Sequence, residues 1–99
     1  MLARVATFEG DPARMQEVAE SMRKEVDAGA PDGFPGKEIY FLTGRDSGKS
    51  LVIVLFETKD DLRKGDQMMN EMSPPDDASA GMGRRVGVDL FDVAAHATV

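Results

Sequence analysis

The chain has 99 residues, with 12 lysines and arginines against 18 aspartates and glutamates, a formal net charge of −6 and no cysteine. A chain this short closes around one small core, so a single domain over residues 1–99 is expected. The acidic balance argues against nucleic-acid binding, which needs a clustered Lys/Arg surface, and the one adjacent arginine pair, Arg84 and Arg85, is too little to reverse it.

Apolar residues make up 41% and charged residues 30%, the balance of a globular protein rather than a disordered one. No apolar run approaches the roughly 20 residues of a membrane-spanning helix, so no membrane partner is expected. The start, Met1-Leu2-Ala3-Arg4-Val5, lacks the basic region and long apolar stretch of a secretory signal, and without cysteine nothing exploits an oxidising compartment. A cytoplasmic location is the expectation.

In chain order, residues 2–8 (LARVATF) form a compact apolar run stopped by Gly10, Asp11 and Pro12, and are expected to be a strand with Arg4 as its one charge. Asp11 is a good N-cap and Pro12 suits a first helical position, where its missing N–H costs nothing. Met15, Val18, Ala19, Met22 and Val26 then recur at helical spacing, which predicts a helix over 12–28 ended by Gly29 and Pro31. In the turn-rich loop up to Gly36, Phe34 is expected to pack back on the core.

Residues 37–58 (KEIYFLTGRDSGKSLVIVLFET) read as a β-hairpin: two apolar runs, 39–42 and 51–56, joined by the turn Asp46-Ser47-Gly48. Neither run alternates apolar with polar residues. Both faces of the second strand, Leu51/Ile53/Leu55 and Val52/Val54/Phe56, therefore need shelter from water. Thr58 followed by Asp61 resembles a capping box with the shorter acid and opens a second helix over 59–72, with Leu62, Gly65, Met69 and Met72 on one side. Ser73-Pro74-Pro75 ends it, and the small, acidic stretch 76–83 is expected to be mobile. A last strand is predicted over 85–94, with Val86, Val88 and Leu90 on one face and Phe91 and Val93 on the other, a change of face that implies a bulge or a covered end.

The resulting β-α-β-β-α-β order predicts the α+β, ferredoxin-like fold, with two helices on one face of a four-stranded antiparallel sheet. The other face is then bare and apolar, which predicts a homodimer in which two sheets pack together. A monomer with an exposed apolar sheet is the alternative.

The candidate chemistry is sparse. Gly44 to Ser50 (GRDSGKS) imitates a phosphate-binding loop, but it is one residue short between its glycines and leads into a strand rather than a helix N-terminus. His96 is the single histidine, and with no cysteine no metal site is expected. Asp60-Asp61 and Asp76-Asp77 read as solvated charge. Arg4, Tyr40 and Asp89 stand out as polar groups on apolar strands. Arg4 either pairs with Asp89 or Asp92 on the neighbouring last strand or, with the Tyr40 hydroxyl, supplies polar contacts in a mostly apolar pocket. Phe56 and Met69 complete the candidate pocket, Met69 with core packing as its other role. No cofactor is expected.

With LARVATFEG at the start, SLVIVLFETKDDL running from third strand into second helix, and RRVGVDLFDV at the end, the chain resembles the dimeric α+β barrel superfamily, specifically the proteins similar to antibiotic biosynthesis monooxygenases. The resemblance spans nearly the whole chain as a pattern of fold and hydrophobic positions. It implies a dimer. Members include cofactor-independent oxygenases of polyphenolic substrates and haem-degrading enzymes. In the haem-degrading branch a tryptophan ends the third strand, a histidine on the second helix binds iron and an asparagine lies on the first strand. The matching positions here are Phe56, Asp66 or Gln67, and Val5 and Ala6, so none of the three residues stands at its matching position. Two expectations follow: a cofactor-independent, monooxygenase-like enzyme acting on a small aromatic or polyketide-like molecule, or a non-catalytic dimeric module that binds a small apolar ligand or serves structurally.

Overall fold

The computed structural model describes residues 1–44, 46–72 and 83–99, with Met72 described in its backbone alone. The elements are β1 (Leu2–Glu9), a 3-10 turn (Pro12–Arg14), α1 (Met15–Ala28), β2 (Glu38–Thr43), β3 (Lys49–Phe56), α2 (Lys59–Met72) and β4 (Arg84–Asp92). The strands form one antiparallel sheet in the order β2-β3-β1-β4. Both helices lie on one face, giving the ferredoxin-like βαββαβ arrangement.

Strand parity decides what each side chain meets. Leu2, Arg4, Ala6 and Phe8 of β1 stand beside Phe56, Val54, Val52 and Ser50 of β3, and these face the helices. Met15, Val18 and Met22 of α1 and Leu62 of α2 close over them to make the core, with Phe34, Phe41 and Met69 packed at its edge. Burying a side chain such as Val54 or Phe56 completely stabilises the fold by about 1.5–3 kcal/mol each. The opposite face carries Ala3, Val5, Leu51, Ile53, Leu55, Tyr40, Leu42 and Phe91, and no element among the described residues covers it. Tyr40, Leu42 and Phe91 on that face are each about half exposed.

Three boundary features differ from the sequence expectation, while α1 ends at Gly29 as expected. The predicted helix over 12–28 opens as a 3-10 turn, because the Asp11 carboxylate accepts the Ala13 N–H at 2.9 Å and holds Pro12–Arg14 in a tighter turn before α1 begins. Gly29, at φ 86°, takes the left-handed backbone that stops α1. The β4 bulge lies at the start of that strand, where Thr7 pairs with Gly87 but Phe8 pairs with Arg85, leaving Val86 extra. At its other end β4 stops at Asp92, and the Val93 N–H donates to the Met1 carbonyl at 2.9 Å. The expected mobility of residues 76–83 falls, except for Gly83, outside the described residues, as does the side chain of Met72.

The N-terminus of α2 forms as its capping residues predict, with Thr58 Oγ1 accepting the Asp61 N–H at 3.1 Å. Gly65 then lets this helix approach the sheet. A Cβ built there would lie 2.2 Å from Cε1 of Phe56, so the missing side chain is what admits the ring beneath the helix.

Candidate functional site

The helix stripe that builds the core also builds a cleft. Met15, Val18 and Met22 are buried, but the next residue at helical spacing, Val26, overhangs the sheet and remains 49% exposed. Beyond Gly29 the chain turns back, and Phe34 packs edge-on against Phe56, with ring centroids 6.1 Å apart and planes at 62°. Between this loop, the end of α1 and the sheet lies a cleft of about 850 Å³. Ala6, Phe8, Val52 and Phe41 form its floor, Val26 and Phe34 its wall, Met69 its α2 side, and Gly83 and Arg85 its far rim.

Arg4 is the polar feature of the floor. It is 1% exposed, and a guanidinium at that depth needs partners to offset the loss of water. Nε donates to Asp66 Oδ1 at 2.7 Å, one terminal nitrogen donates to Asn70 Oδ1 at 3.1 Å, and the other meets the Met69 sulfur at 3.5 Å. Arg85 donates to the same Asn70 oxygen at 2.7 Å. Asp66, Met69 and Asn70 follow one another at three- and four-residue spacing, so a single face of α2 presents all three.

This pairing corrects the expected ion pair of Arg4 with Asp89 or Asp92. Asp89 stands opposite Val5, on the uncovered face, and Asp92 stands opposite Leu2, exposed at the end of the strand. Arg4 points the other way, towards α2. Tyr40 is also placed differently from the pocket expectation: it pairs in register with Ile53 on the uncovered face, and its hydroxyl lies 3.4 Å from Glu38 Oε2. Phe56 is fully buried beneath Gly65 and does not line the cleft. Of the five candidate pocket residues the structure brings Arg4 and Met69 to the cleft and leaves Tyr40, Phe56 and Asp89 outside its lining. Asp66, Asn70 and Arg85 were not among the candidates. The parity of Arg4 with Leu2, Ala6 and Phe8 is the signal that points to a helix partner.

The titratable residues other than arginine that border the cleft, Glu25, Lys37 and Glu38, are all exposed. Among the described residues no group of three His, Cys, Asp or Glu side chains could hold a metal ion, and no helix is long and apolar enough to cross a membrane. The segment resembling a phosphate loop is the hairpin connection, where the Gly44 N–H donates to the Lys49 carbonyl at 2.8 Å and the chain runs on into β3.

No protein-family model matches the chain, and no curated protein matches it. Among solved structures, a MhuD variant with two manganese protoporphyrin IX bound per active site is similar over 100% of both chains, at 13% identity and a TM-score of 0.63. The α2 positions that the family resemblance matches to an iron-binding histidine are Asp66 and Gln67. Asp66 is held by Arg4, Gln67 offers no imidazole, and His96 stands exposed beyond β4. These residues do not fit a porphyrin metal ligated from α2. What the chain shares with MhuD is its fold, a ferredoxin-like α+β fold.

Proposed function

We propose that the protein is a cytoplasmic homodimer of the α+β barrel kind whose cleft binds a small aromatic or polyketide-like molecule. The cleft itself carries this reading. Its volume of about 850 Å³ suits a small organic ligand, and its lining is mostly apolar, with charged side chains at Arg4, Glu25, Lys37, Glu38 and Arg85. Binding without catalysis is the form the geometry supports best. Tyr40, the expected proton-handling group, stands on the other face of the sheet, and Glu25 and Glu38 border the cleft only as exposed side chains.

A cofactor-independent oxygenase is the second reading. It is favoured by the family resemblance and by the apolar lining of Phe8, Phe34, Phe41 and Val52, which would keep water from a reactive intermediate. The dimer is supported by the uncovered face, where Leu51, Ile53 and Leu55 would meet their counterparts in a second copy. The test is an NMR titration with naphthol. Shifts confined to Ala6, Val26, Phe34 and Met69 are expected, and a titration that leaves them unmoved rejects the cleft as a binding site. Oxygen uptake on adding naphthol, followed with an electrode, would decide for the oxygenase.

A further inference from the structure

We infer that the cleft selects an acid: an aromatic-sized apolar molecule carrying a carboxylate, whose oxygens are received by the guanidinium groups of Arg4 and Arg85. The inference rests on the reading of the cleft as a ligand site and names the class of ligand.

Two cations border the cleft and converge on one neutral atom. Arg4 and Arg85 both donate to Asn70 Oδ1, at 3.1 Å and 2.7 Å. Among the described residues one carboxylate pairs with them, Asp66 with Nε of Arg4; Glu25 and Glu38, which also border the cleft, are exposed and pair with neither arginine. Among the described residues the α2 end of the cleft therefore carries an excess positive charge, in a chain whose formal net charge is −6. General electrostatics of the chain would repel an acid, so a local excess of this kind is a specific feature of the site.

The donors are also available. A guanidinium has five N–H groups, and the described contacts of Arg4 occupy three nitrogens with one carboxylate, one amide oxygen and one thioether. The thioether is a weak acceptor, and Met69, which provides it, is flexible and itself lines the cleft. A carboxylate entering beside Met69 would replace sulfur with a charged oxygen acceptor. Arg85 is only partly buried and can turn to the second oxygen. A ligand ring seated on the apolar floor would displace water there and strengthen these charge-assisted bonds.

The test compares naphthoic acid with naphthamide, which has the same ring and a neutral head, by calorimetric and NMR titration of the wild-type protein and of Arg85→Gln. The expected result is binding of both at the cleft, with the acid preferred by about tenfold or more. In Arg85→Gln that preference falls towards one, and Arg85→Lys restores part of it. Equal affinity of acid and amide in the wild-type protein, or a preference that survives Arg85→Gln, overturns the inference while leaving the cleft as a binding site. If neither compound shifts Ala6, Val26, Phe34 or Met69, the cleft reading and the inference fall together.

Discussion

Gly65→Ala tests the packing of α2 on the sheet by the sign of its effect. In an exposed helix interior this change stabilises by about 1 kcal/mol, because glycine gives up more backbone freedom on folding. Here the new Cβ would meet Cε1 and Cζ of Phe56 at 2.2 and 2.4 Å. The ring is fully buried and has Phe34 against it, so it can retreat only by disturbing the core. Overpacking of this kind costs about 1–3 kcal/mol, which leaves a net loss of about 1 kcal/mol after the helix gain. With a urea slope of about 1 kcal/mol per molar, the unfolding midpoint should drop by ~1 M at fixed protein concentration. In a Phe56→Leu background the obstructing ring is gone, and the same substitution should be neutral or stabilising. A midpoint that rises in the otherwise wild-type protein would refute the close approach of α2 to Phe56.

The other predictions address single contacts. Arg4→Met should cost about 1–3 kcal/mol by thermal or urea unfolding, less than a fully buried pair, because Asp66 is 31% exposed and can be rehydrated; no loss would mean that the network contributes nothing to the fold. Thr58→Ala should cost about 1 kcal/mol by removing the acceptor for the Asp61 N–H. Tyr40→Phe should change stability by less than about 0.5 kcal/mol and leave naphthol binding intact, because the hydroxyl lies outside the cleft lining and makes one long contact, 3.4 Å to the exposed Glu38; a binding loss would place Tyr40 in the site after all. Ile53→Lys puts a charge at the centre of the uncovered face and should yield a monomer by light scattering, and an unchanged mass would reject that face as the dimer contact.

The hairpin, both helices and the β-α-β-β-α-β order of elements are legible because their signals are local or periodic. The runs at 39–42 and 51–56, the Asp11-Pro12 start and the spacing from Met15 to Met22 need no knowledge of distant residues. The site depends on which way side chains point across the sheet. Arg4 and Asp89 both look like charges on neighbouring strands, but the pairing of Val5 with Asp89 puts them on opposite faces. Parity with Leu2, Ala6 and Phe8 marks Arg4 as helix-facing, yet its partner Asp66 lies 62 residues away and belongs to a polar set that reads as ordinary helix surface. The two faces of β3 were recognisable as apolar, but only the seating of the helices assigns Val52, Val54 and Phe56 to the core. Tyr40 stands out by its isolation among apolar neighbours, and register with Ile53 sends it to the uncovered side.

The position of β1 has a consequence for how the chain reaches its folded state. β1 precedes the other strands of the sheet in the chain and lies between β3 and β4, with Leu2 paired to Phe56 on one side and to Asp92 on the other. Its hydrogen-bonding edges are thus satisfied by segments made much later, and the second only by the last strand. A nascent chain that ends before Arg84 leaves one edge of β1 open, beside Arg4 and the apolar floor. Such an edge is a template for pairing with other chains, so release of truncated product should favour aggregation over partial folding. Dominance of these long-range strand pairs also predicts refolding on the millisecond-to-second scale rather than the microseconds of helical bundles.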